Sequence, residues 1–157
     1  LGHTVICMDG EPCNCGRRGC WEAYSAAPAL IRQTQSAMQA HPESKLWQAA
    51  PQLSEVSGKT VFQAVAMGDA TAQAVLDFYV KALAVGLSNV VNSLDPDVLC
   101  LGGGISGAGE ALMRPLEKAM EGQSYARPGQ QTTKLVLAQL GNDAGLVGAA
   151  MLHRQHH

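Results

Sequence analysis

Three cysteines stand close together near the start of the chain, at Cys13, Cys15 and Cys20, and His3 lies ten residues upstream of the first of them. Three thiolates and one imidazole form a complete tetrahedral ligand set for zinc. A site that offers four protein ligands leaves no position for water, which is typical of structural rather than catalytic zinc. The sequence therefore predicts a structural zinc site at His3, Cys13, Cys15 and Cys20.

The cysteine count allows other interpretations of this cluster. The chain has five cysteines, and an odd number with such tight spacing is not typical of a secreted disulfide framework. Incidental reduced cysteines or a redox pair remain as alternatives to metal binding. The other two cysteines, Cys7 and Cys100, lie in apolar runs, and we expect them to be small core residues.

A glycine triplet at Gly102, Gly103 and Gly104 is the second feature that could do chemistry. It follows a short apolar run and precedes a helical pattern, a position where backbone amides can approach a nucleotide. The triplet is not a Walker A loop, because no Gly-Lys-Ser/Thr follows it. Taken alone, the triplet favours a simple left-handed turn over a nucleotide contact.

The elements that must position these residues follow from apolar spacing. The chain has 157 residues, of which 46% are hydrophobic and 15% charged, a composition typical of one folded domain. Gly86 lies inside the longest predicted helix and indicates the close approach of another backbone. Asp69 is the predicted N-cap of that helix. The predicted helices span 21–41 with a break at Pro28, 44–50, 61–67, 70–94, 108–121 and 143–152; the predicted strands span 98–101, buried on both faces, and 134–139.

Charge and hydropathy exclude several classes of function. The net charge is -2 and the chain has no long basic run, so we expect no nucleic-acid binding through this region. The longest stretch without Asp, Glu, Lys or Arg covers 13 residues, 82–94, short of the roughly 20 that cross a bilayer. The chain begins at Leu1 without Met or an export signal. We therefore expect a cytoplasmic piece of a longer protein, with no membrane contact.

Three stretches of the sequence resemble the ROK family, which is named for repressors, open reading frames and kinases. Gly2-His3 followed by C-x-C-G-x-x-G-C-x-E over residues 13–22 resembles the family signature. Residues 94–106 resemble its nucleotide-proximal strand and loop, and residues 140–150 resemble its closing strand and helix. Together these stretches span nearly the whole chain.

The resemblance implies a fold, and it implies that this sequence covers only the C-terminal lobe of that fold. The family fold is an α/β, actin-like ATPase fold related to ribonuclease H, and residues 1–157 would form its C-terminal lobe with an inserted zinc loop. Family members carry Glu-x-Gly-His, and here that Glu would stand just before Leu1. The N-terminal lobe of family kinases holds the first phosphate loop and the aspartate that acts as base, and the resemblance does not extend to it.

The resemblance also implies roles for single residues. His3 would both ligate zinc and lie close to the sugar. Glu22 would accept hydrogen bonds from sugar hydroxyls, although a glutamate in the first turn of a helix is also favoured by the helix dipole alone. Beside the zinc signature, adenosine contact becomes the favoured interpretation of Gly102, Gly103 and Gly104.

The implied function is the C-terminal half of an ATP-dependent hexose kinase similar to bacterial glucokinases. Its substrates would be a hexose or N-acetylhexosamine and ATP with Mg²⁺. The alternative is the effector-binding domain of a ROK-family transcriptional repressor, and a third interpretation is a zinc-stabilised interaction module without a ligand. Homodimers are common in the family, so a homodimer is also an expectation.

Overall fold

The protein is described here from a computed structural model, which covers residues 1–123, 125, 133–140 and 143–152. Helices pack beside a small parallel sheet, so the predicted α/β class is confirmed. The predicted loop at 127–129 and the terminal histidines His153, His156 and His157 lie outside the described residues. The helices are α1 (Glu22–Ser25), α2 (Ala27–Ala40), α3 (Leu46–Ala49), α4 (Thr60–Ala66), α5 (Ala70–Leu94), α6 (Glu110–Met120) and α7 (Ala144–Leu152), and the strands are β1 (Val98–Leu101) and β2 (Lys134–Leu137).

Helix α5 is the centre of the core. It begins after Asp69, whose carboxylate accepts a hydrogen bond from the backbone N–H of Ala72 at 2.6 Å, so the predicted N-cap is confirmed. It ends at Asp95, which has a left-handed backbone with φ of 43°. Helices α1, α2, α4 and α6 all contact it. Tyr79 in its middle is fully buried and donates a hydrogen bond to the carbonyl oxygen of Ser25 at 2.7 Å, which ties α5 to α1.

Of the helices that the structure describes, α5 is the one long and apolar enough to cross a membrane by length and composition, with a mean hydropathy of 1.5. More than half of its apolar window, 56%, is buried inside the protein. A helix that is apolar on most of its surface is also what the core of a globular protein requires. The contacts of α5 with four other helices are those of a core helix.

The break predicted at Pro28 is confirmed. Ala26 has an extended backbone and separates α1 from α2, and Pro28 lies in the first turn of α2. Proline is tolerated there because the first N–H groups of a helix have no intrahelical partner. The bend places the short helix α1 between the N-terminal loop and the body of the protein.

Gly86 on α5 was expected to mark the approach of another backbone, and the structure corrects this. A Cβ at Gly86 would overlap the indole ring of Trp21. The indole Nε1 of Trp21 donates a hydrogen bond to the carbonyl oxygen of Ala82 at 3.0 Å, one turn earlier on the same helix. The group that approaches Gly86 is therefore an aromatic side chain, which anchors the residues before α1 to the core.

We expect Gly86→Ala to lower the free energy of unfolding by about 1–3 kcal/mol, because the added methyl group must displace the Trp21 ring. Gly145→Ala is the matched control, since Gly145 is also helical but has no atom within 4 Å of its Cβ position. That control should be neutral or should stabilise by up to about 1 kcal/mol, the ordinary helix propensity difference. Urea unfolding of the three proteins measures both effects, and a stabilised Gly86→Ala would contradict the contact.

Strand β1 is less buried than the sequence predicts. Strand β1 pairs with β2 in parallel, with Val98 opposite Lys134 and Leu101 opposite Leu137. Val98 is 53% exposed and Cys100 is also exposed, so the expectation of a strand buried on both faces is wrong for this part of the chain. Parallel sheets are normally covered by helices on both faces. Among the described residues, the core packs against the other face of β1, which carries Leu99 and Leu101.

Candidate functional site

The cysteine-rich segment folds into a compact loop before α1. Isolated antiparallel bridges join Val5 to Cys20 and Pro12 to Arg18, and they hold the two ends of the loop side by side. Gly19 has a positive φ of 76°, and a Cβ there would overlap the carbonyl oxygen of Cys7. Glycine is therefore required at this position by both backbone conformation and space.

The loop brings together the four residues that the sequence singled out. The ligand atoms of His3, Cys13, Cys15 and Cys20 all lie within 4.8 Å of one another. The sulfurs of Cys15 and Cys20 are 3.6 Å apart, and the Cys13 sulfur is 3.5 Å from Nδ1 of His3. Zinc–sulfur bonds of about 2.3 Å in a tetrahedral site place the sulfurs about 3.8 Å apart. The donor set and its spacing therefore fit zinc.

The electrostatics of the loop also suit a cation bound by thiolates. Hydrogen bonds from the backbone and then the side chain of Arg17 lower the pKa of Cys15 to about 6. Burial, followed by hydrogen bonding to Cys15, raises the pKa of Cys20 to about 11. The Arg17 guanidinium also donates to the carbonyl oxygen of His3 at 2.6 Å. Metal binding to such a set must release protons, most of all the proton of Cys20.

Cys7 and Cys100 are exposed, so the prediction that they are core residues is wrong. Cys7 belongs to an apolar run whose Val5 and Met8 are also exposed, at 42% and 89%. This run lies within the cysteine-rich loop, where Val5 bridges to Cys20 and Ile6 is the member that packs against a buried cluster. Cys100 lies on the exposed face of β1.

Glu22 follows the cysteine-rich loop directly and begins α1. Its backbone N–H donates to the carbonyl oxygen of Gly2 at 2.8 Å, and its carboxylate oxygen lies 2.9 Å from the position that a Gly2 Cβ would take. The carboxylate is therefore held against the residue that precedes His3. Because α1 has only four residues, the helix dipole offers little reason for a glutamate here.

A cavity of about 360 Å³ joins Glu22 to the glycine triplet. Its lining includes Gly2 and Glu22 together with Gly102, Gly103 and Gly104. The imidazole of His3 is not among the lining residues, and its Nδ1 faces Cys13. The structure thus places Glu22 and the triplet at one cavity and His3 in the neighbouring metal cluster.

The triplet contains two kinds of glycine. Gly103 has φ of 83° and ψ of -176°, a conformation that residues with a side chain rarely adopt. Gly104 has no such restraint, and nothing lies within 4 Å of its Cβ position. It opens a short 3₁₀ turn, Gly104–Ala108, in which the Ser106 hydroxyl donates to the Gly103 carbonyl at 2.7 Å.

A second cavity, of about 690 Å³, lies on the other side of this turn. It extends from the turn to α4 and is lined there by Lys59, Phe62 and Gln63. Sequence analysis did not single out these three residues, because an isolated lysine, phenylalanine or glutamine carries no motif. Only the packing of α4 beside the glycine turn brings them to a cavity.

Comparisons with known proteins agree with this geometry. The model of the ROK family matches residues 1–156 of the chain. The glucokinase of Halalkalibacterium halodurans is 36% identical over 157 residues, which are 99% of this chain and 47% of that protein. The chain thus spans about half the length of this relative.

Two solved structures share the fold. A ROK family glucokinase from Streptomyces griseus, in complex with glucose and AMPPNP, matches with a TM-score of 0.88 at 32% identity, over 98% of this chain and 50% of that one. A ROK family transcriptional regulator, a homologue of the E. coli MLC protein, matches with a TM-score of 0.78 at 29% identity, over 98% of this chain and 38% of that one. With the family model matching nearly every residue and the fold shared by a kinase and a regulator, the chain belongs to the ROK family.

Proposed function

We propose that residues 1–157 form the C-terminal lobe of an ATP-dependent hexose kinase of the glucokinase type. The observation that carries this proposal is the cavity that Glu22 and the glycine triplet line together, next to the candidate metal loop. Glucokinases are among the relatives, and one of them was solved with glucose and a nucleotide analogue. The actin-like ATPase fold follows from the same likeness.

In this proposal the metal loop is structural. His3, Cys13, Cys15 and Cys20 would hold Zn²⁺, which closes the loop as a fixed scaffold and supplies no reacting group. The role of the loop in this proposal is to position Glu22. Cys20 is followed at once by Trp21 and Glu22, so the fixed loop also fixes where the Glu22 backbone begins.

Glu22 would bind the sugar. A carboxylate accepts from two hydroxyls at once, and such charge-assisted hydrogen bonds are about twice as strong as neutral ones. The glycine triplet lines the same cavity, where the absence of side chains would let the phosphates of ATP, with Mg²⁺, approach the sugar. The base that takes the proton of the sugar hydroxyl belongs, in this proposal, to the N-terminal lobe.

The sugar is a hexose or N-acetylhexosamine, and the enzyme is cytoplasmic and homodimeric in this proposal. Nucleic acid and membranes are not partners of this region. The second candidate is the effector-binding domain of a ROK repressor, which the likeness to a ROK transcriptional regulator favours. The kinase predicts ATP-dependent phosphorylation of a sugar by the complete protein, whereas the repressor predicts sugar-dependent release of DNA by a separate domain.

In the complete protein, we expect Glu22→Gln to weaken sugar binding by about 1–3 kcal/mol, or about fivefold to 150-fold, because a charged acceptor becomes a neutral one. The thermal midpoint should hardly change. Titration calorimetry with a panel of hexoses and N-acetylhexosamines measures the affinity. Glu117→Gln, an exposed position on α6, is the matched control. Unchanged sugar affinity in Glu22→Gln would assign Glu22 a purely structural role.

A further inference from the structure

Two adjacent arginines of the cysteine-rich loop make different contacts. The Arg17 guanidinium donates to the carbonyl oxygen of His3 at 2.6 Å and also hydrogen bonds to the sulfur of Cys15. The Arg18 side chain donates instead to the carbonyl oxygen of Asp9 at 3.4 Å. We propose that Arg17 is a positioning residue of the metal site, which joins Cys15 to His3 and controls how fast the metal leaves. This inference rests on the proposed zinc site and deepens it.

The bond from Arg17 to His3 joins two segments of the loop that share few other hydrogen bonds. Residues 13–17 form a turn, in which the backbone N–H of Cys13 donates to the carbonyl oxygen of Arg17 at 2.9 Å. Apart from the contact between two ligand atoms, the Arg17 bond is the one hydrogen bond among the described residues that joins this turn to residues 1–5. Without the guanidinium, the hydrogen bonds between the two segments would involve ligand atoms alone.

The backbone around His3 is fixed by contacts that do not involve the guanidinium. The carbonyl oxygens of its two neighbours accept backbone hydrogen bonds, each at 2.8 Å, that of Gly2 from Glu22 and that of Thr4 from Trp21. These bonds attach the segment to the start of α1. Loss of the guanidinium should therefore loosen the cysteines of the turn while the His3 backbone keeps its place, so we expect an effect on metal retention rather than on folding.

Arg17 also supplies positive charge to the ligand cluster. Three thiolates around a divalent cation leave one negative charge, and a cationic donor at the Cys15 sulfur compensates it. Groups that hydrogen bond to metal ligands typically change metal affinity by about 10–100-fold. A lysine would keep the charge, but its ammonium group lacks the planar fork with which a guanidinium donates to two acceptors at once. Substitution by glutamine and by lysine therefore separates the charge of Arg17 from its geometry.

The test uses the complete protein loaded with zinc and an excess of a chromophoric chelator, which reports the rate of zinc release. We expect Arg17→Gln to release zinc about tenfold faster or more, because both contacts of the guanidinium are lost. Arg17→Lys should release it at an intermediate rate. Arg18→Gln is the matched control, since Arg18 is also exposed and stands at the next position but bonds to Asp9. That variant should match the unmodified protein.

A second measurement, on the protein loaded with Co²⁺, distinguishes this role from a merely structural one. The sulfur-to-cobalt charge-transfer band should move to lower energy in Arg17→Gln, because a thiolate that loses a hydrogen bond gives up an electron more easily. Zinc release from Arg17→Gln at the unmodified rate, or an unmoved band, would overturn the role of Arg17 and leave the kinase proposal standing. An unmodified protein that binds neither metal would overturn the zinc site and this inference with it.

Discussion

Cys15→Ser is expected to remove bound zinc from the protein and to unfold the loop that runs from His3 to Cys20. Structural zinc in finger peptides contributes about 10–16 kcal/mol, far more than the other contacts of a loop of this size can replace. Hydrogen bonds from Arg17 lower the pKa of Cys15 to about 6, so this thiol is largely a thiolate at neutral pH, the form that binds a cation. Elemental analysis of the purified proteins measures the zinc content.

Cys7→Ser is the matched control for this experiment. Cys7 is an exposed cysteine within the same loop, but it is not a member of the ligand cluster. Its variant should retain one zinc per chain and the thermal midpoint of the unmodified protein. Two results would contradict the metal site: purified protein without zinc, or full zinc content in Cys15→Ser.

Residues 1–157 tested alone are expected to phosphorylate no sugar. Correct positioning of donor, acceptor and base can supply roughly 7–11 kcal/mol of the reduction in barrier, so the loss of one member removes most of the rate. Among the described carboxylates, Asp69 accepts hydrogen bonds at the start of α5 and Asp95 ends that helix. Glu22 is assigned to the sugar. Among the described residues that line the cavity, Glu22 is the one carboxylate, so no second carboxylate stands there to act as the base.

A coupled assay that follows ADP release measures this activity with glucose, mannose, fructose and N-acetylmannosamine. The positive control is the same chain joined to its N-terminal lobe, which should restore turnover. Sugar-dependent ADP release from residues 1–157 alone would contradict the half-enzyme interpretation, provided that changing one of its own aspartates abolished it.

The helices, the strands and the cluster of candidate metal ligands could largely be predicted, because each depends on residues that are close together in the sequence. Apolar residues recur every three or four positions after Asp69, which predicts a helix with one buried apolar face. The observed helix α5 runs from Ala70 to Leu94. Three cysteines and a histidine at short separations can meet in one loop whatever the rest of the fold does. Their assembly within 4.8 Å agrees with the spacing.

The remaining features depend on contacts between distant segments. The apolar run that forms β1 resembles a strand buried on both faces, but burial depends on which elements cover the sheet, and the described residues cover one face. Gly86 marked a close approach, yet only the structure identifies Trp21 as its partner, 65 positions away along the chain. Lys59 and Phe62 reach a cavity solely through the placement of α4.

The consecutive residues Cys20, Trp21 and Glu22 have a thermodynamic consequence. The first is a candidate metal ligand, the second is anchored on Gly86 and Ala82 of α5, and the third lines the cavity proposed to bind the sugar. A displacement of any one of them must be transmitted through two peptide bonds to the others. If metal and sugar bind as proposed, they are linked ligands, and linkage is reciprocal: whatever factor the metal adds to sugar affinity, bound sugar must add to metal affinity.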